Sequence, residues 1–100
     1  MPKAYVIANL TVTDPQKFAA HLPLSDIALD KFGGRFIVVR QSRSEVLEGS
    51  PPGSPQARTL VLEFNDYDTA VQWYRSPEYE AAIRAREGAA EISMVVVEGV

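Results

Sequence analysis

The chain has 100 residues, of which 46% are apolar, and its formal net charge is −3. That length predicts one domain over residues 1–100, and the apolar content is too high for a disordered segment. The ten lysines and arginines are scattered along the chain, which argues against a nucleic-acid-binding face and a polybasic membrane patch. Cysteine is absent, which excludes disulfides, thiol nucleophiles and thiolate metal sites.

The first predicted element is a strand over residues 4–12, in which apolar side chains alternate. Val6, Ala8, Leu10 and Val12 share one face, and Tyr5, Ile7, Asn9 and Thr11 share the other. The run is too short and too polar for a signal peptide or a transmembrane helix. We therefore expect a cytoplasmic protein.

A helix is predicted to follow, because Asp14 can cap orphan N–H groups and Pro15 suits the first helical position. Its apolar stripe is predicted to contain Phe18, Leu22, Ser25, Leu29 and Phe32. Pro23 lies inside this stretch and predicts a kink or break near Leu22. The Gly33-Gly34 pair predicts the end of the helix.

A second strand is predicted over Arg35–Arg40, with Glu45–Glu48 as its continuation after an irregular step. Residues 49–55 contain three prolines and two glycines, a composition that predicts a loop. A third strand over Arg58–Phe64 would then run antiparallel to the second.

Two helical stretches and a last strand complete the chain. Asp66 predicts the cap of a second helix to about Arg75, and Ser76-Pro77-Glu78 predicts a restart that runs to about Glu87. The last strand, Ile92–Glu98, contains a Met-Val-Val-Val run that predicts burial on both faces.

The resulting order is β-α-β-β-α-β, which predicts an α+β, ferredoxin-like fold. It comprises a four-stranded antiparallel sheet with both helices on one face. The other face is also largely apolar, through Ile7, Ile37 or Val38, Val61 and part of the last strand. Because an exposed face of that kind is a large apolar patch, we expect a second copy of the chain to cover it with twofold symmetry. The predicted assembly is a homodimer, a dimeric α+β barrel.

Several short motifs occur in a fixed order along almost the whole chain. They are Thr13-Asp14-Pro15, Lys31-Phe32-Gly33-Gly34-Arg35-Phe36, Val46-Leu47-Glu48-Gly49, Leu62-Glu63-Phe64, Tyr74-Arg75-Ser76-Pro77-Glu78-Tyr79, Arg86-Glu87-Gly88-Ala89-Ala90 and Val97-Glu98-Gly99. This pattern resembles a small bacterial family, domain of unknown function 1330, of the dimeric α+β barrel superfamily. The resemblance implies the same dimeric fold, and it implies no specific reaction, because the family has no assigned biochemical role.

His21 is the only histidine and the natural acid–base candidate, because imidazole titrates near neutrality. The alternative interpretation is a partly exposed helix histidine without a catalytic role.

Six charged residues are flanked by apolar ones: Arg35, Glu48, Glu63, Arg84, Arg86 and Glu98. Buried charges usually pair with one another, which favours a structural salt-bridge network at the dimer seam or sheet edge. The alternative is an arginine clamp for a ligand carboxylate, since guanidinium matches carboxylate in a bidentate geometry.

Tyr5, Trp73, Tyr74 and Tyr79 could line a cleft between the first helix and the sheet, although aromatics at helical spacing are more often simply core. Ser76 is interpreted as a helix cap because no base is visibly paired with it. The Gly33-Gly34 pair lacks the spacing of a phosphate-binding loop.

No metal or cofactor is expected. There is one histidine, no cysteine and no carboxylate spacing typical of metal ligands. Related barrels that bind and oxidise haem carry an asparagine on the first strand, a tryptophan on the third strand and a histidine on the second helix. This chain has Asn9 on the first strand, but Trp73 falls on the second helix, which has no histidine.

Two functions remain open. The first is a small-molecule-binding dimer, or a cofactor-independent enzyme, that handles a hydrophobic or aromatic acid in the helix–sheet cleft. Its candidate catalytic residue is His21, and its candidate ligand contacts are Tyr5, Asn9, Arg35, Glu48, Tyr79 and Arg86. The second is a non-catalytic interaction or stress-associated dimer module in which the charges only build the seam.

Overall fold

The computed structural model describes residues 2–49 and 57–100. Its elements in chain order are β1 (Ala4–Val12), α1 (Pro15–Phe32), β2 (Arg35–Val38), β3 (Arg58–Phe64), α2 (Tyr67–Tyr74), α3 (Pro77–Ala85) and β4 (Ala90–Glu98). The predicted α+β class and element order are confirmed, with the second helical region divided into two helices.

The four strands form one antiparallel sheet in the order β2-β3-β1-β4. Alternate residues of β1 are buried beneath the helices, from Ala4 to Leu10. The register places Val6 between Leu62 of β3 and Val96 of β4. The period-two pattern of the sequence therefore defines the helix-facing side of the whole sheet.

The core lies between this side of the sheet and the helices. Trp73 and Phe64 are its largest fully buried side chains, with ring centroids 5.1 Å apart. Gly34 follows α1 where a Cβ atom would lie 2.6 Å from the Phe64 ring, so this position requires glycine for the chain to pass the core.

The first helix runs through Pro23 as one 18-residue element, and the predicted break is wrong. Asp14 caps it by accepting a hydrogen bond from the Lys17 N–H at 3.2 Å. Pro23 is exposed, so water can satisfy the backbone group that the proline leaves without a donor. Gly33 ends the helix at φ 69°, in the left-handed region that favours glycine.

The apolar stripe of α1 differs from the prediction. Its buried residues are Phe18, His21, Ala28 and Leu29. Leu22 is 44% exposed, so His21 occupies an interior position that the spacing assigned to Leu22. The interpretation of His21 as a partly exposed histidine is therefore wrong.

The second strand is shorter than predicted, ending at Val38. The Ser42 N–H donates to the Val39 carbonyl at 2.8 Å, and the Val39 N–H donates to Ser42 Oγ at 3.1 Å. This turn removes both backbone groups of Val39 from the ladder. Residues Glu45–Glu48 lie within the described range but form no strand. The prediction that they continue the second strand is therefore wrong. Most of the predicted 49–55 loop lies outside the described residues.

The two helices after β3 begin as predicted. Asp66 accepts from the Thr69 N–H at 2.8 Å, and Ser76 Oγ accepts from the Tyr79 N–H at 3.1 Å. Ser76 is 5% exposed and also donates to the Trp73 carbonyl at 2.7 Å. One buried hydroxyl thus joins the end of α2 to the start of α3.

The sheet face away from the helices is called the open face here. Its central row comprises Val38, Val61, Ile7 and Val95. Val95 is 53% exposed and Val97 is 39% exposed. In the single chain β4 therefore alternates between covered and exposed residues, and the prediction that it is buried on both faces is wrong for one protomer.

Candidate functional site

A cavity of about 240 Å³ lies between α1, α3 and the helix-facing side of the sheet. Most of its wall is apolar: Ala8, Leu10, Phe18, Leu22, Phe36, Val39, Leu60, Leu62, Trp73, Ile92 and Met94. An apolar cavity of about 150 Å³ can hold benzene. This cavity therefore has room for a body of one or two rings.

His21 forms part of the α1 wall and is 6% exposed. Its Nδ1 is hydrogen-bonded to the Phe18 carbonyl oxygen, and because a carbonyl only accepts, Nδ1 carries the proton. The Phe18 ring lies edge-on, 4.4 Å from the imidazole centroid. These two contacts fix the orientation of the ring. The other ring nitrogen, Nε2, forms no hydrogen bond with any of the described residues.

The charge state of His21 follows from its surroundings. Burial lowers the pKa of His21 below its ordinary value, and the positive charge of Arg86 lowers it further. The bond to Phe18 and the negative charge of Asp26 act in the opposite direction without reversing the shift. His21 is therefore a neutral imidazole near neutral pH, and its Nε2 is a hydrogen-bond acceptor.

Arg86, the residue that follows α3, brings a positive charge into the same wall. It donates to the Tyr79 hydroxyl at 3.1 Å, and its guanidinium carbon is 5.8 Å from the Tyr79 ring centroid. The Tyr79 ring lies 4.1 Å from the Trp73 ring. Within residues 2–49 and 57–100, no carboxylate forms an ion pair with Arg86.

A second guanidinium belongs to Arg40, in the turn after β2. Its carbon lies 5.3 Å from the Phe18 ring centroid, a cation–π distance. It also lines the cavity, beside the exposed residues Phe36 and Val39, which mark the opening. Among the described residues, the cavity lining thus contains two arginines and no aspartate or glutamate.

Trp73 separates this cavity from a second one of about 190 Å³, which lies beside α2, β1 and β4. Its indole N–H is buried and finds no acceptor among the described residues. An unsatisfied buried donor of this kind costs about 1–3 kcal/mol.

The structure brings three of the predicted site residues together: His21, Tyr79 and Arg86. Tyr5 and Asn9 lie instead on the open face, because both belong to the alternate set of β1 residues. Asn9 Oδ1 accepts from the Thr59 hydroxyl at 2.8 Å across the strands. Their predicted place in the helix–sheet cleft is therefore wrong. Of the four aromatic residues expected in that cleft, only Trp73 and Tyr79 line it.

Arg35 is also on the open face, where it forms an ion pair with Glu63. Lys3 Nζ lies 3.5 Å from the same carboxylate. Burial alone would raise the pKa of Glu63, but the hydrogen bond and charge of Arg35, together with Lys3, hold that pKa below its usual range. Arg35 is thus a structural ion-pair partner in this protomer.

Two other charged candidates lie in the solvent. Glu48 is exposed in the segment after β2 and has no ion pair within the described ranges. Arg84 pairs with Glu80 at 2.6 Å on the outer side of α3. Arg40 was not predicted as a site residue, because it lies outside every sequence motif. The one pattern that could have indicated it is a cation next to the end of a strand.

Metal binding would require several ligand side chains close together among the described residues. No group of three or more histidine, cysteine, aspartate or glutamate side chains among them could hold an ion. In the same residues no helix is long and apolar enough to cross a bilayer.

A family model with the description Domain of unknown function matches residues 3–100. The chain belongs to the DUF1330 family. No curated protein matches the sequence. The site described above is therefore that of a DUF1330 domain whose family carries no assigned reaction.

Solved structures similar to this DUF1330 domain share its fold at low sequence identity. RPA0582, a protein of unknown function from Rhodopseudomonas palustris, is 18% identical with a TM-score of 0.68, covering 100% of this chain and 85% of that one. SnoaB, a cofactor-independent oxygenase from Streptomyces nogalater, is 12% identical with a TM-score of 0.65, covering 100% and 95%. A conserved protein from Methanosarcina mazei Go1 is 16% identical with a TM-score of 0.58, covering 100% and 95%. These likenesses show the fold alone, an α+β domain with one four-stranded antiparallel sheet.

Proposed function

We propose that this protein binds an apolar organic acid of one or two rings in the cavity beside His21, with Arg86 holding the acid group. One observation carries the proposal: an apolar cavity is lined by two arginines and no carboxylate. An aromatic or alicyclic body fits the apolar wall, and its anionic group supplies the missing counter-charge.

Arg86 differs from the cations that form ion pairs within the described residues. Four other cations, namely Lys3, Lys31, Arg35 and Arg84, form ion pairs with carboxylates. Arg86 is half-buried and has only the neutral Tyr79 hydroxyl. A partly desolvated guanidinium without an anion is costly, and a bidentate carboxylate is its best partner. A ligand acid at this position therefore gains a charge-assisted hydrogen bond.

One further feature favours an anionic ligand. Arg40 stands beside the exposed rim residues and can attract an anion to the opening. Arg40 and Arg86 are both cations, so together they disfavour a cationic ligand.

The assembly that we propose is a homodimer formed through the open face. Ile7, Val61 and Val95 form its apolar centre, and the helices cover only the opposite side of the sheet. The fold shared with dimeric α+β barrels supports this arrangement. Two such faces packed together would bury the exposed valines of β4.

A second candidate function is a non-catalytic dimer module. The Arg35–Glu63–Lys3 cluster favours it, because these charges lie on the open face and neutralise one another within the chain. This observation assigns a structural role to Arg35. It leaves the arginines of the cavity unexplained, and for that reason we place ligand binding first.

The binding proposal is tested by isothermal titration calorimetry with benzoate and with benzyl alcohol, which has a similar body and no charge. Trp73 is the only tryptophan, so its fluorescence reports occupancy of the cavity. The wild type should bind benzoate more tightly than benzyl alcohol. Arg86→Gln should weaken benzoate about 10- to 100-fold and leave benzyl alcohol nearly unchanged.

The matched control is Arg84→Gln, which removes an arginine two residues away on the outer side of α3. It should bind both compounds as the wild type does. Equal affinity of the wild type for the acid and the alcohol, or equal losses in the two arginine variants, would contradict the proposal.

A further inference from the structure

We infer that Nε2 of His21 accepts a proton from the ligand, so that the acids bound in the cavity include phenols and enolisable carbonyl compounds. This inference deepens the proposed function and rests on it. A carboxylic acid would be bound already ionised, whereas a phenol or an enolisable ketone arrives neutral. Its conversion to an anion needs a base inside the cavity.

The geometry of His21 supports this role. Its Nδ1–H is committed to the Phe18 carbonyl, so the lone pair resides on Nε2. The Phe18 ring fixes the imidazole from the side. Since His21 lines the cavity and Nε2 bonds to no described residue, this nitrogen is left for a ligand. The residue is 6% exposed, so little solvent competes for that position.

The charges around His21 favour the imidazolium only when the ligand becomes an anion beside it. Arg86, from the end of α3, is the cation whose charge acts on His21, and Asp26 on α1 is the carboxylate that acts on it. Arg40 and the Tyr79 hydroxyl complete the ionisable groups of the lining. Arg86 disfavours a lone imidazolium, but a ligand anion between the two would offset that repulsion. Proton transfer therefore depends on the bound acid.

The step is balanced without a further reactant. The O–H bond of a phenol, or the acidic C–H bond of an enolisable ketone, breaks, and the Nε2–H bond forms. The electron pair stays on the ligand, as a phenolate or enolate beside Arg86. Nothing is oxidised, and the proton can return to the ligand or leave to water.

The probe is 4-nitrophenol, whose visible absorption distinguishes the phenol from the phenolate. The measurement is made below the pKa of the free phenol, where little phenolate exists in solution. The wild type should convert bound 4-nitrophenol to phenolate. His21→Asn retains an amide donor near the position of Nδ1 but offers no base, so its bound phenolate fraction should fall about tenfold or more. His21→Gln, which places an amide near Nε2, should behave in the same way.

Two controls separate proton transfer from misfolding and from simple binding. Benzoate brings no acidic proton at this pH, so its affinity for His21→Asn measures how far the loss of the imidazole has altered the cavity itself. 4-Nitroanisole, which has no ionisable proton, should show no spectral ionisation with either protein. Benzoate binding by a variant therefore reports that its cavity is intact.

Phenolate formation that persists in His21→Asn, or 4-nitrophenol that binds the wild type only in its neutral form, would overturn the inference. Neither result would affect the proposed function, which depends on benzoate. A wild type that binds neither benzoate nor 4-nitrophenol would overturn both.

Discussion

The Nδ1–H of His21 donates a hydrogen bond to the backbone carbonyl of Phe18, one turn earlier in α1. This bond lies inside the protein, beside an apolar cavity. It determines which nitrogen of the ring is free, and the histidine is thereby presented as an acceptor. The same bond connects the stability of α1 to the ionisation of a single side chain.

The free energy of unfolding should therefore depend on pH through His21. Because the folded-state pKa of His21 lies below its ordinary value, the unfolded chain binds a proton first as the pH falls. Stability should decrease between about pH 6.5 and the lower folded-state pKa, by at most about 1.4 kcal/mol per pH unit. Urea denaturation at several pH values measures this slope.

His21→Asn should remove that part of the pH dependence. The loss of stability caused by Glu63 and Asp66, whose pKa values are lowered, occurs at more acidic pH, where carboxylates take up protons. It should persist in the variant. An unchanged slope near pH 6 in His21→Asn would contradict the assignment of a buried neutral histidine.

Ser76→Ala should lower the free energy of unfolding by about 1–3 kcal/mol. The hydroxyl caps α3 and bonds to the Trp73 carbonyl, and it is buried. The variant should also weaken benzoate binding, because Trp73 and Tyr79 would lose their common anchor. Asp14→Ala, at the exposed cap of α1, should cost less and leave binding intact. Thermal denaturation and calorimetry compare the two.

Pro23→Ala should raise the free energy of unfolding by about 1–3 kcal/mol, because it restores a backbone donor and removes a steric conflict within α1. Pro15→Ala serves as the control, since Pro15 lies at the first helical position, where proline is favourable. It should be neutral or mildly destabilising. A destabilised Pro23→Ala would contradict this expectation.

Val95→Asp should dissociate the proposed homodimer at micromolar concentration, as judged by analytical ultracentrifugation. Val95 is 53% exposed in the single chain, so the change should affect the protomer little, while a charge buried between two sheets is costly. Ile27→Asp is the control, because Ile27 is 58% exposed on α1. A wild type that sediments as a monomer would exclude the proposed assembly.

Much of the fold could be predicted because local signals agree with the tertiary structure. The alternation in β1 and the caps at Asp66 and Ser76 correspond to observed contacts. The end of β2 could not be predicted in the same way, since a turn closed by the Ser42 side chain competes with the ladder. Helix α1 continues through Pro23 because tertiary packing outweighs local propensity.

The candidate site was harder to predict than the fold. Tyr5 and Asn9 were assigned to the wrong side of the sheet, although their alternation with Val6 and Ala8 already placed them on the open face. His21 lies in the cavity wall, and its burial depends on contacts with distant elements. The position of Arg40 depends on the turn after β2, and no local pattern reports a cavity.

The most direct test of the proposed binding site is a crystal structure of the protein with 4-iodobenzoate, located by the anomalous scattering of iodine. We expect an iodine peak in the cavity beside Trp73, with the carboxylate within hydrogen-bonding distance of Arg86. Absence of the ligand from that cavity, with iodine found only on the open face or on the outer surface of the helices, would contradict it.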